Sequence, residues 1–319
     1  NLSVTDKQIG KASRLLYSGI SQLIESARRK AAVFLNTETT LLYWSIGSFI
    51  NANLKQDNRT AYGTKIIATL SQQLTANHGR GFTYTSLTRM CKVAEAFNKK
   101  NIATLSQQLS WSHLIELALI EDPLKRDFYV QMSTMEKWSV RNLREKIDKM
   151  LFERTAIAKH PKNIIRQSIQ QLKDSNHISP ELIFKNTYIL DFLNLPADYS
   201  ENDLENALIM HIEKFILELG SGFAFIERQK RITVDATDYH LDLLFYHRKL
   251  KRLIAIDLKL GKFKPEYKSQ MELYLRWLEK YDMQCDEQAP VGLLLCSEGN
   301  TEHIELLMLN HQEIKVAQY

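Results

Sequence analysis

Apolar positions in the first half of the chain recur at helical spacing, and those in the second half alternate as in strands. From Ile20 to Ile50 the residues Leu23, Ala27, Ala31, Phe34, Leu41, Trp44 and Ile46 keep a period near 3.6 with no strand-like alternation, which predicts a long helix. A second helix is expected from Lys65 to Asn77, ending at His78-Gly79-Arg80-Gly81. A third starts at Thr83 or Thr85 and runs to about Asn98 on Leu87, Met90, Cys91, Ala94 and Phe97. Trp111 to Ile120 predicts another, and Ser139 reads as the N-cap of one running through Leu143, Ile147 and Leu151. Between Phe152 and Ser179 the pattern loosens around His160-Pro161 and Asn176-His177. The expected organisation is an all-α domain over residues 1–155 and a linker over 156–180. The octamer IATLSQQL occurs at 67–74 and at 102–109 with nothing else matching at that offset, and it reads as coincidence.

Beyond the linker, over residues 181–319, the order is helix, three strands, helix, strand, helix, strand. Ser200 is a candidate N-cap with Asp203 three residues on, opening a helix that stops at Gly220. Phe223–Val234, Tyr239–Tyr246 and Leu253–Leu260 read as strands, and Pro265 opens a helix to Tyr281. Val291–Cys296 is a continuous apolar run suited to a fully buried strand. Thr301–Asn310 is read as a helix and Ile314–Tyr319 as a last strand.

Composition narrows the class. The 319 residues, 44% hydrophobic and 25% charged, suit two domains of an ordinary globular protein, and no apolar run reaches the ~18 residues of a membrane span. A cytoplasmic protein with no membrane partner is expected. Cys91, Cys285 and Cys296 have no metal-binding spacing and read as buried thiols in a reducing compartment. A net charge of +5 and a pI near 8.9 are compatible with a nucleic-acid partner without requiring one. The helices on either side of Gly79-Arg80-Gly81 form a candidate helix-turn-helix, with Arg80 at a phosphate and Arg89 and Lys92 on the DNA-facing surface. The same pattern also fits an ordinary helical hairpin. Arg141, Arg144, Lys146, Lys149 and Arg154 read as a solvated basic face.

The candidate chemistry lies in RLIAIDLKLG. Ile254, Ile256, Leu258 and Leu260 share one strand face, which leaves Asp257 and Lys259 together on the other. Charges on a buried strand are costly unless paired or bound to something. Asp242, on the preceding strand, can meet Asp257 across the ladder, and two carboxylates with a nearby lysine suit metal-assisted phosphodiester hydrolysis. Glu205 projects inside the stripe Leu204, Leu208, Ile212, Phe215 and Leu219, so it is expected at the sheet, where an ion could use it directly or through water. Gln270 lies on the inner face of the later helix among Tyr267, Met271 and Tyr274. Lys262 and Lys264 are expected as outer phosphate contacts. A structural ion pair of Asp257 with Lys259 accounts for the triplet equally well, and His211, His240 and His247 read as core or rim residues.

Longer runs carry a resemblance. NTYILDFL, DLENALIMHIEKFILELGSGFAFIERQ, DYHLDLLFYHRKLKRLIAIDLKLGKFKPEY and QMELYLRWL resemble the YhcG-type proteins of the PD-(D/E)XK nuclease superfamily. YGTKIIATLSQQL, GRGFTYTSLTRM, LSWSHLIEL and WSVRNLREKI resemble the helical N-terminal domain of the same family. The resemblance implies a restriction-endonuclease-like α/β core with a mixed sheet flanked by helices, preceded by an all-α domain. It also implies Mg²⁺-dependent cleavage of nucleic acid, expected to be DNA, with Mn²⁺ as a substitute ion. Asp242, Asp257 and Lys259 take the catalytic positions by motif, and Glu205 and Gln270 the helical accessory ones. Asp242, Asp257 and Glu205 are the implied metal ligands. Asp257 stands where Glu is more frequent, which brings an ion nearer its strand. A non-catalytic DNA-binding or assembly module on the same fold is the alternative. A homodimer or higher oligomer is compatible with cutting two strands. The chain ends at Val316-Ala317-Gln318-Tyr319, where the family runs on.

Overall fold

The computed structural model describes residues 4–54, 61–159, 161–175, 178–298 and 313–319. The chain divides into two compact units, Asn1–Glu145 and Lys146–Tyr319.

The first unit is helical. Helix α1 (Val4–Asn53) is followed by α2 (Ala61–His78), a 3₁₀ turn (Arg80–Phe82), α3 (Tyr84–Ala96), α4 (Lys99–Leu105), α5 (Trp111–Ala118) and α6 (Pro123–Glu136). Helix α7 (Val140–Asp148) spans the division. The end of α1 packs on α3, where Ile50 joins Ile67, Leu87, Met90 and Cys91 in one core. Gly47 makes this crossing possible. A Cβ there would run into the Met90 carbonyl and lie 2.8 Å from the Cys91 nitrogen, so only glycine lets the two backbones approach this closely. The crossing is fastened by Trp44 Nε1 donating to the Phe97 carbonyl at 2.7 Å and Asn51 Nδ2 to the Cys91 carbonyl at 2.9 Å. Helices α4 and α6 were not anticipated, although Asp122 caps α6 through the Leu124 amide with Pro123 in the first turn.

In the second unit, the helix expected from Ser139 to Leu151 stops at Asp148. Met150 takes a left-handed conformation (φ 52°), and α8 (Leu151–Arg154) follows. The segment expected as a linker contains α9 (Lys162–Ser175), whose Ile165, Ile169 and Leu172 are buried at i, i+4 and i+7. Amphipathic periodicity outweighed the flanking Pro161. After α10 (Pro180–Ile183), the helix expected over Ser200–Leu219 bends at His211 (φ −111°, ψ 30°) into α11 (Glu201–Met210) and α12 (Ile212–Leu219). Amide hydrogen bonds from His211 to Ala207 and from Phe215 to His211, both 3.0 Å, carry the ladder across the bend.

Strands β1 (Phe223–Val234), β2 (Thr237–His247), β3 (Arg252–Lys262), β4 (Val291–Glu298) and β5 (Ile314–Gln318) form one sheet in sequence order. The first three pair antiparallel; β3, β4 and β5 pair parallel, with α13 (Pro265–Tyr281) as the crossover from β3 to β4. Met271, Tyr274, Leu275 and Leu278 of α13 pack with Leu244, Ala255, Leu294 and Cys296. Asp257 and Lys259 share the face of Ala255, so that face is polar only towards the end of β3 and is covered by a helix. The helix expected at Thr301–Asn310 lies outside the described residues.

Two side chains correct the expectations. Cys285 is exposed, while Cys91 and Cys296 are buried. Arg154 turns away from the basic face and pairs with Glu218, which also takes the buried Lys185 at 3.0 Å and the Ile189 amide at 3.1 Å. Burial pushes the Lys185 ammonium down to about 8 despite Glu218. Among the described residues no helix is long and apolar enough to cross a membrane.

Candidate active site

The β2–β3 register pairs Leu243 with Ile256 and Leu244 with Ala255. Continued by one residue, it sets Asp242 beside Asp257. Asp242 Oδ2 accepts the Leu258 amide at 2.7 Å, which ties the carboxylate to the neighbouring strand. Lys259 Nζ lies 2.8 Å from Asp257 Oδ2 and 5.3 Å from the Tyr267 ring centroid. Asp257 is 2% exposed. Burial, then the adjacent Asp242 carboxylate, raise its proton affinity well above the usual carboxylate range against the pull of Lys259. Burial works against the Lys259 charge, but Asp257 and Asp242 outweigh it and hold the ammonium above its ordinary value.

Glu205 of α11 is buried, as its place in the apolar stripe predicts. It reaches Asp242 through a residue that motif reading missed. Gln229 Nε2 donates to Glu205 Oε2 at 2.6 Å and to Asp242 Oδ1 at 3.1 Å. Gln229 lies on β1 in a left-handed conformation (φ 49°), between the residue pairs Arg228–Leu243 and Lys230–Leu241 and so opposite Asp242. Left-handed backbone at a non-glycine strand residue is uncommon and marks a constrained position. A glutamine between two basic residues gives no pattern from which to read this role. Arg228 Nε lies 3.0 Å from Glu205 Oε1, on the more exposed side.

Gln270 is half-buried and donates to the Tyr274 hydroxyl, which donates in turn to the His240 carbonyl at 3.2 Å. The structure therefore brings it to the rim of the site, engaged with Tyr274. Lys262 and Lys264 are exposed beyond the end of β3, and Lys264 lies 3.8 Å from Glu266. Arg80, Arg89 and Lys92 are exposed in the first unit.

Among the described residues no three Asp, Glu, His or Cys side chains converge into a complete metal-binding group. Glu205 is separated from the aspartate pair by the Gln229 amide, an arrangement in which it would serve an ion through Gln229 or a water more readily than directly. The donor chemistry nevertheless fits a hard divalent cation: the oxygens are carboxylates, and two of them, Glu205 Oε1 and Asp257 Oδ2, are buried without an aligned hydrogen bond. Each faces one basic side chain instead.

Comparison with known proteins identifies the family of the chain. Residues 181–319 match the YhcG PDDEXK nuclease domain, and residues 19–154 match the DUF1016 N-terminal domain. A protein of Escherichia coli K12 named "Putative nuclease YhcG" is 32% identical over 314 residues, covering 89% of this chain and 83% of its own length. A repair endonuclease from Pyrococcus abyssi aligns over 39% of this chain and 49% of its own, at 18% identity and a TM-score of 0.28, a likeness too distant to bear on function. The chain belongs to the YhcG family, a DUF1016-type helical region joined to a nuclease domain of the PD-(D/E)XK type.

Proposed function

We propose that the protein is a Mg²⁺-dependent nuclease that hydrolyses phosphodiester bonds in DNA, with Mn²⁺ able to replace Mg²⁺. The observation that carries this reading is the pairing of Asp242 and Asp257 on adjacent strands with Lys259 beside them. The buried Asp257, whose proton affinity is raised by burial and by the neighbouring Asp242 carboxylate, is short of positive charge, and a divalent ion would supply it.

Asp242 and Asp257 would hold the ion, and Glu205 would support it through Gln229 or a water. When bound, the ion polarises a phosphoryl oxygen and lowers the pKa of a water. Lys259 sits where its ammonium can face the scissile phosphate and offset developing negative charge. Releasing the Asp257 carboxylate from Lys259 frees that ammonium for the substrate. Gln270, held by the buried Tyr274 hydroxyl, would orient the attacking water. Lys262 and Lys264 would track the phosphates, as would Arg80, Arg89 and Lys92 on the α2–α3 pair if it works as a helix-turn-helix.

One observation favours a second reading. Asp257 and Lys259 already satisfy each other at 2.8 Å, as a structural pair in a non-catalytic DNA-binding module would. The deciding experiment incubates supercoiled, linear, branched and single-stranded DNA with the wild type and Asp257→Ala, each with Mg²⁺ or EDTA. The nuclease reading expects cleavage that needs both metal and Asp257, with DNA binding kept in the variant. Binding without metal-dependent cleavage on any substrate would establish the module instead. Loss of binding in Arg89→Ala with Lys92→Ala would support the helix-turn-helix role, and unchanged binding would remove it.

A further inference from the structure

Helix α1 is 50 residues long, about 75 Å at 1.5 Å per residue, against a usual helix of about 11–12 residues. Only part of it is used internally. Thr40, Gly47 and Ile50 are buried against the rest of the first unit. On the opposite side Tyr17, Ile20, Ile24, Phe34, Leu42 and Phe49 are exposed, from 47% at Ile24 to 75% at Tyr17. At 100° per residue these six, with Leu23 and Leu35, fall within an arc of roughly 120°. They form one stripe along the helix, filled by Ala27 and Ala31 between Ile24 and Phe34 and crossed by Glu38 between Leu35 and Leu42. Scattered surface apolar residues need no explanation, but large apolar side chains aligned along one face of a helix do.

We propose that this stripe pairs two copies of the chain, antiparallel, about a two-fold axis at Phe34. Three features select a second copy. The first is size: eight large side chains at roughly 100 Å² each offer about 800 Å², the share each partner contributes to a standard interface. The second is charge. Lys30 and Glu38 are both exposed and stand four residues on either side of Phe34, so an antiparallel pairing centred there sets each Lys30 against the partner's Glu38. The third is that the ends match: Leu42 falls level with the partner's Ser26, next to Ala27, and Phe49 level with the partner's Gly19, next to Ile20, apolar against small or apolar on either side of the charged pair. A self-complementary patch of this kind closes as a dimer. Beside the axis, Arg29, Lys30, Val33, Phe34 and Thr37 of α1 line a cleft of about 450 Å³ with Gln107; its apolar wall and flanking cations can seat the partner's Phe34 ring. The pairing is independent of the chemistry at the carboxylates.

The test uses the full chain at micromolar concentration in analytical ultracentrifugation, with helix content checked by circular dichroism. The wild type is expected at twice 37.1 kDa. Ile24→Glu combined with Leu42→Glu, both at exposed positions, should weaken association at least a hundredfold. Lys30→Glu should weaken it about tenfold, and adding Glu38→Lys should restore it. In a Cys285→Ser background, which removes the exposed thiol, Phe34→Cys should form an intermolecular disulfide and Ile20→Cys should not. The two copies of residue 20 would stand about 40 Å apart, far beyond disulfide reach. A wild type that stays monomeric at tens of micromolar overturns the proposal, as does a dimer indifferent to the stripe variants. Equal cross-linking at residues 20 and 34 would overturn the antiparallel arrangement.

Discussion

Gln229 offers the sharpest test of the site because its role and its backbone make opposite demands. Gln229→Ala removes two hydrogen bonds to carboxylates, at 2.6 and 3.1 Å, and leaves Glu205 and Asp242 each short of a donor. Hydrogen bonds to charged groups contribute ~1.5–3 kcal/mol each, so for this half-buried amide the loss is expected at about 3 kcal/mol. Gln229→Gly loses the same bonds but fits φ 49° without the steric penalty on a Cβ, so it should be more stable than Ala by about 1 kcal/mol. That reverses the usual order in a strand, where Gly is the weaker by ~0.5–1 kcal/mol. Because a two-unit chain need not unfold in one step, the assay is native-state hydrogen exchange of the β2 amides in EDTA, which reads the local opening free energy. Cleavage by Gln229→Ala should fall on the order of 10²-fold with little change in KM for DNA, as expected of a positioning residue. Alanine as protected as glycine would refute the left-handed assignment. Both variants matching the wild type would refute the bridging role.

Other residues can be probed in the same way. Glu218→Ala takes the carboxylate from the buried Lys185, leaving it the residue-218 carbonyl and the Tyr188 ring, and should cost ~3 kcal/mol in thermal unfolding of the second unit. A lysine held below its ordinary pKa leaves the unfolded chain with the extra proton, so the variant should regain stability as pH rises towards 10; a flat pH response would rule this out. His247 is fully buried, and burial pushes its imidazole down to about 4. The unfolded chain then binds the extra proton between pH 6.5 and 4, so stability should fall by at most about 3 kcal/mol as pH drops through that window, and His247→Asn should abolish that component of the slope in acid titration. Gly47→Ala should force α1 from α3 and cost at least ~2 kcal/mol by calorimetry, whereas an unchanged melting temperature would disprove the close approach.

Local chemistry settled a large part of this protein in advance. Pro265 in a first turn, the alternation around Asp257 and Lys259, and the continuous apolar run from Val291 need only a few neighbouring residues to act, and α13, β3 and β4 formed where those signals stand. Glu205 was legible for the same reason, since helical phase alone turns it inward. Periodicity could not say what covers a face or which carboxylates share a donor. Asp257 lies under α13 because the β3–α13–β4 crossover is right for packing Met271 and Tyr274 over Ala255, a long-range arrangement with no local mark. The separation of Glu205 from the aspartate pair depends on one left-handed residue in β1, and that conformation follows from how three strands and α11 meet. The octamer IATLSQQL shows the same division within the first unit: at 67–74 it lies wholly inside α2, and at 102–109 it leaves α4 after Leu105. Eight identical residues have one propensity, and the packing around them decides where the helix ends.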